Sequence, residues 1–331
     1  MYICNTQQLD PPFMTVLRKY LLLLLCVSVA SSAFSQGSSI ANNNRHLILR
    51  DEGLSQLSYV DMTNPSNNWF VPVPPGRDQQ LVGHGRVMIG TGTGYEEREI
   101  LTGKKVNELT SFAGTISARR LRNGNTILTG YNWQGKQGLV LAEVDAAGAT
   151  MHLINFPELN YTRLVRETSS GTLLITSDTI VFESDNSGKI LWKAKIVSTK
   201  RPHSWQALRF GNGQTIVSSG YAGNFQIFAK EGSPVNSITG PADVNPNFYA
   251  GFQIIKNGNF VVTNWQGHGP TFGASGVQLL EYAPNGTLVW SWKQDPAKYS
   301  SLQGVIVLDG LNLELLHVED GNGMLAPVKS K

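Results

Sequence analysis

Leu121-Arg-Asn-Gly-Asn-Thr-Ile-Leu128 is an apolar strand that enters a glycine turn and leaves it as a second apolar strand, and this pattern occurs six times along the chain. The clearest other copies are Phe210-Gly-Asn-Gly-Gln-Thr-Ile-Val217 and Ile254-Ile-Lys-Asn-Gly-Asn-Phe-Val-Val262. A strand-built period of about 40 to 47 residues is typical of a β-propeller blade. Spacings of 39, 47, 42 and 45 residues separate five of the turn glycines, Gly85, Gly124, Gly171, Gly213 and Gly258.

Each repeat predicts four strands, which we call A to D. In the third repeat, strand A covers about residues 116–121, strand B 126–130, strand C 139–144 and strand D 150–156. The Asp, Asn and Gly residues at the corners favour the left-handed backbone that tight hairpins need. The β-branched runs between them are typical of buried strands.

The two ends of the repeat region determine the number of blades. Residues 46–50 resemble a B strand that no A strand precedes, and residues 303–310 resemble an A strand that no complete blade follows. We therefore expect residues 305–308 to complete the first blade, because this closes the ring and removes its open sheet edges. The prediction is an all-β, six-bladed propeller with four-stranded blades. Seven blades, a β-sandwich and two small β domains are alternatives, and the sustained period argues against the last two.

The N-terminus has the order of a secretory signal peptide. Arg18 and Lys19 precede an apolar core at 20–30 and small residues at 31–35, so we expect cleavage after Ser35. The apolar core is too short to span a membrane comfortably. A start of translation at Met14 is an alternative, and so is a lipoprotein anchor at Cys26, which the preceding leucine disfavours.

The chain therefore divides into four predicted parts. Residues 1–35 are an N-terminal extension and signal, 36–45 a flexible leader, 46–312 a single propeller domain, and 313–331 a loosely ordered C-terminal tail. We expect export to the periplasm or the cell surface of a Gram-negative bacterium, and a monomer with no membrane span after the signal is removed.

Composition excludes several function classes. The net charge is +3, and no run of five or more Lys and Arg residues occurs, which disfavours nucleic acid and anionic membrane surfaces as partners. Both cysteines, Cys4 and Cys26, precede the expected cleavage point, so the mature chain has no disulfide, thiolate metal site or cysteine nucleophile. Phosphate-binding loops, His-Glu-x-x-His and calcium loops are missing from the sequence. We predict neither a cofactor nor a metal.

Two corner motifs resemble those of a known repeat family. Thr102-Gly-Lys104 and Ser187-Gly-Lys-Ile-Leu-Trp192 resemble the Thr-Gly-Lys-x-x-Trp corner of PQQ-type blades, and the repeat unit is similar to those of PQQ-like and arylsulfotransferase-like bacterial propellers. The resemblance covers roughly residues 46–310 and implies the scaffold only. Asn107 stands at the tryptophan position of the first motif, and no local motif assigns a cofactor site or a transfer histidine.

One face of the predicted propeller collects the unusual residues. The A–B and C–D turns on the opposite face are short and rich in Gly, Asn and Asp, whereas the B–C and D–A loops are long, and loops on a rigid scaffold commonly bind ligands. The tetrapeptide Asn132-Trp133-Gln134-Gly135 occurs again as Asn264-Trp265-Gln266-Gly267, three blades away. We expect the two tryptophans to face each other across the central opening and to bind a sugar. The alternative is that each ring packs between neighbouring blades.

The same face carries candidates for acid–base chemistry. His203 beside Arg201 could act as a general base next to a carboxylate-binding guanidinium, and His268 is a second candidate. Together with Tyr and Arg residues, this set has the ingredients of an acidic-polysaccharide lyase. A glycosidase would need two well-placed carboxylates, and this face is nearly free of them, with Glu96, Glu97 and Asp243 as the only nearby candidates. The further predicted ligand-binding residues on this face are Tyr161, Arg163, Trp205, Gln206, Tyr221 and Tyr249.

These observations lead to three functional hypotheses. The first is a secreted propeller that binds a small polar or carbohydrate-like ligand on the B–C and D–A face. The second is a lyase or transferase that uses a His/Arg/Tyr site on that face, which requires His203 in a concave pocket within hydrogen-bond reach of another polar group. The third is a non-catalytic protein-interaction scaffold of the cell envelope.

Overall fold

Runs of buried β-branched and aromatic residues form 26 strands between residues 44 and 328, the part of the chain that the computed structural model describes. Of these strands, 24 form six four-stranded antiparallel sheets, and the other two form a hairpin near the C-terminus. The six sheets are the blades of a six-bladed β-propeller, which confirms the predicted fold class and blade number. The predicted signal segment and almost all of the predicted leader lie outside the described residues.

The strands follow the predicted A–B–C–D order along the chain. The first three blades contain β1 (His46–Asp51), β2 (Gln56–Asp61), β3 (Trp69–Pro72), β4 (Gln79–Gly83), β5 (Arg86–Thr91), β6 (Gly94–Glu99), β7 (Lys105–Leu109), β8 (Ser117–Arg120), β9 (Thr126–Tyr131), β10 (Leu139–Val144) and β11 (Thr150–Phe156). The next three contain β12 (Val165–Glu167), β13 (Leu173–Ser177), β14 (Ile180–Ser184), β15 (Ile190–Lys195), β16 (Gln206–Arg209), β17 (Thr215–Ser218), β18 (Asn224–Phe228), β19 (Pro234–Thr239), β20 (Phe248–Ile254), β21 (Phe260–Trp265), β22 (Leu279–Tyr282) and β23 (Leu288–Trp292). The remaining elements are β24 (Leu302–Val307), β25 (His317–Glu319), β26 (Leu325–Pro327) and the 3-10 turns Pro65–Asn67 and Ala242–Val244.

Strand β24 closes the ring as predicted. It pairs antiparallel with β1, with Leu47 opposite Val307 and Leu49 opposite Val305, and so becomes the innermost strand of the first blade. The A–B turn glycines also have the expected backbone, since φ is +91° at Gly124 and lies in the left-handed region at the four other turn glycines named above. A Cβ is disfavoured there, which explains why glycine recurs at these corners.

The core lies between neighbouring blades, because the inner strands are buried on both sides of each sheet. Ile48 and Leu57 of the first blade, for example, pack with Leu81 and Ile89 of the second. Burying an aliphatic side chain of this size contributes about 1.5–3 kcal/mol relative to leaving it in water. The continuous ring of such contacts holds the loops of the B–C and D–A face on a rigid base.

Residues 313–328 do not form the loosely ordered tail that the sequence predicts. Strands β25 and β26 pair with each other, and isolated bridges attach Leu316 to Val82 and Met324 to Ile254. These contacts place the hairpin over the central cavity at the A–B-turn face. The prediction of a loose tail is wrong for these residues because the hairpin anchors a buried carboxylate, Glu319, inside the ring.

Candidate functional site

A pocket opens on the face formed by the B–C and D–A loops, and we call it the loop-face pocket. Its cavity volume is about 60 Å³. Six residues predicted from the sequence line it together, although they come from three different blades: Arg163, His203, Trp205, Tyr221, Trp265 and His268. Four further residues complete the wall, and the sequence analysis did not single them out: Glu52, Arg77, Phe248 and Gln303.

The strand order explains why these residues meet. Arg77, Arg163 and His203 each lie in the connection that leads into an innermost A strand, so their side chains surround the central opening. Glu52 and Tyr221 instead lie in B–C loops at the same end of the ring. An arginine shortly before an A strand is therefore a sequence signal that could have identified Arg77.

Two arginines of the loop-face pocket have no carboxylate partner. Within residues 44–328, neither Arg77 nor Arg163 forms an ion pair, and the Nε of Arg163 is buried without a hydrogen-bond acceptor. Burial, followed by the nearby charge of Arg77, lowers the pKa of Arg163 to about 9. Burial also lowers the pKa of Arg77. Because Arg163 stays protonated at neutral pH, the pocket holds two positive charges and one carboxylate, Glu52, whose charge acts on Arg77 without forming an ion pair. A bound anion would stabilise the second positive charge, on Arg163.

Arginines deeper in the ring are paired in a different way. Arg166 donates to both carboxylate oxygens of Asp78 at 2.7 and 3.0 Å, and Arg119 donates to both oxygens of Glu319 at 2.6 and 2.7 Å. The guanidinium of Arg50 donates to three backbone carbonyls. Among the arginines that line the loop-face pocket, neither Arg77 nor Arg163 has such a set of acceptors within residues 44–328.

Aromatic rings hold the two unpaired guanidinium groups. Arg163 Cζ lies 4.0 Å from the ring centroid of Tyr161 and 5.4 Å from that of Trp205. Arg77 Cζ lies 5.8 Å from the Trp205 ring. Cation–π contact of this kind orients a guanidinium without using its N–H donors. Nη1 of Arg163 lies 3.5 Å from the Thr162 carbonyl oxygen, and Nη2 has no acceptor among the described residues, so it could donate to a bound anion.

His203, which lines the loop-face pocket, contacts Tyr161, which does not line it. The Tyr161 hydroxyl lies 3.0 Å from Nε2 of His203, and the imidazole is almost fully buried. Burial, with the charges of Arg163 and Arg201 next in size, lowers the pKa of His203 to about 3, so the ring is neutral at physiological pH. Gly220 makes room for it, since a Cβ at that position would lie 2.9 Å from the Cβ of His203.

Glu52 links two predicted residues at the rim. Its Oε2 accepts a hydrogen bond from the indole Nε1 of Trp265 at 3.1 Å, and its Oε1 lies 2.9 Å from Nδ1 of His268. The His268 side chain is exposed, whereas Trp265 is largely buried. Arg201 is also exposed, with Cζ 5.8 Å from the Tyr221 ring. Arg201 and His268 could therefore contact a ligand only at the entrance.

The two Asn-Trp-Gln-Gly copies lie in different surroundings. Trp133 packs against Phe112, its Nε1 donates to the carbonyl of Ala113 at 3.0 Å, and its ring covers Gly130. Trp133 does not line the loop-face pocket. Asn132 accepts from the backbone N–H of Gly138 and Gln134 donates to Thr150, so both amides serve the local loop. Ligand binding by this copy stays a prediction.

The other predicted residues also make structural hydrogen bonds. Asn264 donates to the carbonyls of Val277 and Asn245, and Gln266 accepts from the Asn245 side chain. Gln206 donates to Phe252 deep in the ring. The Tyr249 hydroxyl contacts that of Tyr282 within the core, where burial raises the pKa of both groups. These four predicted residues do not line the loop-face pocket.

Comparisons with known proteins show the fold. Neither the protein-family models nor the curated protein sequences include a match to this chain. A protein of unknown function from Bacteroides caccae is similar in structure, with a TM-score of 0.63, 19% identity, and coverage of 80% of this chain and 98% of that one. This similarity supports the propeller scaffold, and the resemblance to PQQ-like and arylsulfotransferase-like repeats stays a prediction.

Two further structures share the propeller fold at lower similarity. Regucalcin, a calcium-binding protein from Agrobacterium tumefaciens, has a TM-score of 0.52 and 12% identity over 76% of this chain and 86% of its own. A streptogramin B lyase also has a TM-score of 0.52 and 12% identity, over 82% of this chain and 94% of its own. Identity this low transfers no activity to this chain.

Membrane-spanning helices and metal-binding clusters are both absent from residues 44–328. No helix there is long and apolar enough to cross a membrane. No group of three or more His, Cys, Asp or Glu side chains in that range could hold a metal ion.

Proposed function

We propose that this protein is an exported propeller that binds a small anionic, carbohydrate-like ligand, such as a uronic acid, in the loop-face pocket. The observation that carries the proposal is the pair of guanidinium groups without a carboxylate partner, Arg77 and Arg163. A sugar carboxylate would accept charge-assisted hydrogen bonds from both groups. The signal-like N-terminus supports export, and the missing basic runs support a small ligand over nucleic acid.

The aromatic wall of the pocket favours a sugar over an inorganic anion. Trp205, Phe248 and Trp265 form one cluster in which ring centroids lie 5.3 and 5.4 Å apart, and Tyr221 contacts both Phe248 and Trp265. The apolar C–H face of a pyranose packs well on such rings. A ligand with a carboxylate on one side and C–H groups on the other would match both features.

Calorimetric titration of the chain from Gln36 onward tests this function. We expect glucuronate or galacturonate to bind, and the matching neutral sugars to bind at least about tenfold more weakly, since a charged hydrogen bond contributes about 1.5–3 kcal/mol. The double variant Arg77→Gln/Arg163→Gln should lose the preference for the acid. Arg86→Gln, which removes an arginine paired with Glu97 away from the pocket, is the matched control. Equal affinity of the wild type for acid and neutral sugar would refute the proposal.

A second candidate function is β-elimination at a uronate, which the Tyr161–His203 contact favours. Arg77 and Arg163 together would neutralise the charge of the uronate carboxylate. This would make the proton on the adjacent carbon, C5, more acidic. His203 would take that proton as the base, the C4–O bond would break, and the Tyr161 hydroxyl would protonate the departing oxygen. A C4=C5 double bond would form with no oxidant or reductant.

Ultraviolet absorbance during incubation with a polyuronate tests elimination, because the unsaturated product absorbs where the substrate does not. Tyr161→Phe should abolish the absorbance increase while keeping the affinity for a uronate within about threefold. An absorbance increase that survives in both Tyr161→Phe and His203→Gln would exclude this pair as the acid and base. No increase with the wild type would leave binding alone as the function.

A further inference from the structure

A second cavity lies beside the loop-face pocket on the same face of the propeller. Its volume is about 270 Å³, and its far wall is built by loops of the first two blades, including Ser55, Pro74, Pro75, Gly92 and Thr115. Ser55 follows β1, and Gly92 lies between β5 and β6, so both belong to B–C loops. The cavity is therefore part of the surface that the sequence assigns to binding.

The two cavities are direct neighbours. Glu52, Arg77 and Gln303 line both of them, so only these side chains separate one cavity from the other. Gln303 is fixed by a hydrogen bond from its Nε2 to the carbonyl of Gly76 at 3.2 Å. Arg77, which has no carboxylate partner within the described residues, is accessible from either side.

We infer that the second cavity is the adjoining subsite of one groove, and that the natural ligand is an oligosaccharide of at least two units rather than a single sugar. This inference rests on the proposed function. An anionic unit would occupy the loop-face pocket, and the next unit would occupy the second cavity, with Arg77 between them. One sugar ring in the loop-face pocket would leave the second cavity, which is the larger of the two, unfilled.

The lining of the second cavity suits a sugar unit of either charge. Exposed proline rings at Pro74 and Pro75 offer apolar surface for the C–H face of a pyranose. Ser55 is exposed and its hydroxyl can donate or accept. The Thr115 hydroxyl, by contrast, already donates to the Phe112 carbonyl at 2.6 Å. Arg50, Asp51, Glu52 and Arg77 line the same cavity and supply charges of both signs.

A length series of uronides tests the inference by calorimetry. We expect the dimer to bind wild-type protein about ten- to a hundredfold more tightly than the monomer, because a second ring is buried, and the trimer to add much less. Equal affinities for monomer and dimer overturn the second subsite and leave the proposed function intact. Failure of both to bind overturns the proposed function and the subsite with it.

Gly92→Phe provides an independent test, because it would fill the second cavity. A Cβ at this residue meets only the Pro75 carbonyl oxygen, at 3.7 Å, so the backbone can accept a side chain. We expect the variant to bind the dimer no better than the monomer while keeping wild-type affinity for the monomer. Gly321→Phe on the opposite face is the matched control, since its Cβ would lie 4.0 Å from the nearest atom, Ser169 Oγ.

Two results would overturn the subsite in this test. In the first, the Gly92→Phe variant still binds the uronide dimer more tightly than the uronide monomer by the wild-type factor. In the second, the variant loses affinity for the uronide monomer and dimer equally. Circular dichroism and the thermal midpoint show whether the variant is folded. If the Gly92→Phe variant does not fold, the Gly92→Leu variant is tested instead. The same two results would then overturn the subsite.

Discussion

Replacing Arg163 with methionine should strengthen the fold and weaken ligand binding. Burial and the charge of Arg77 lower the pKa of Arg163 to about 9, so the folded protein holds this guanidinium less favourably than the unfolded chain does. For a fully enclosed group, a displacement of this size would correspond to a destabilisation on the order of 5 kcal/mol. Because solvent reaches part of this side chain and screens its charge, we expect the destabilisation by Arg163 to be about 2 kcal/mol.

Part of that gain is offset by lost contacts. The guanidinium packs on the rings of Tyr161 and Trp205, and cation–π contacts of this type contribute about 0.5–1 kcal/mol each. The expected net effect of Arg163→Met is a stabilisation of up to about 1 kcal/mol, or up to about 2 °C in the thermal midpoint of a domain this size. Loss of a charged hydrogen bond to the ligand, at about 1.5–3 kcal/mol, should weaken uronate binding about ten- to 150-fold.

Thermal unfolding and calorimetry on the same preparation measure both effects. The stability difference between variant and wild type should change with pH in a defined direction. Because the pKa of Arg163 is lower in the folded than in the unfolded chain, its unfavourable contribution is fully present at neutral pH and disappears as the pH rises above about 9. The stability difference between variant and wild type should shrink over that range. A variant that loses stability together with affinity, while Arg163→Lys keeps both, would refute the reasoning.

Three further predictions follow from the described contacts. Glu319→Gln should destabilise the protein by about 3–5 kcal/mol in denaturant unfolding, since it leaves Arg119 buried without its bidentate partner. The pKa of Glu319 is lowered in the folded state, so wild-type stability should fall as the pH drops below about 4, and the variant should lack that component. Gly130→Ala should displace the Trp133 ring, which lies 2.1 Å from the added Cβ, and lower the thermal midpoint without changing uronate affinity. Because the pKa of His203 is about 3, the affinity of a His268→Gln variant, which lacks the second histidine of the pocket, should be constant between about pH 5 and 8, and a titration step near pH 6.5 in that variant would contradict this assignment.

The blade number and the closure of the ring could be predicted because their signals are local and repeated. Each A–B corner needs a left-handed residue, so Gly124 and Gly213 mark it directly in the sequence. The closure of the ring could be predicted because residues 46–50 resemble a B strand that no A strand precedes, and residues 303–310 resemble an A strand that no complete blade follows. The C-terminal hairpin could not be found in this way, since its order depends on contacts with residues about 200 positions away, such as the Glu319–Arg119 pair.

The blade order predicts which face carries the candidate site, but it does not predict every residue that lines the pocket. That order placed His203, Trp205 and Trp265 on one face, and they do line one pocket. The repeated tetrapeptide was a weaker guide, because its two copies have different backbones. Asn132 and Gln134 have φ of +56° and +50° in a loop, whereas Trp265 ends strand β21. Four identical residues do not determine a conformation when the loops that follow them differ in length.

The contrast between paired and unpaired arginines argues most strongly for a ligand. Arg119 and Arg166 show that this fold can surround a buried guanidinium with carboxylates when only stability is required. Arg77 and Arg163 lie a short distance above them, repel each other, and destabilise the folded state at neutral pH. Destabilising charge of this kind is typical of functional sites, where a bound partner supplies the compensation. An anion between Arg77 and Arg163 would therefore raise the pKa of Arg163 and the stability of the protein together.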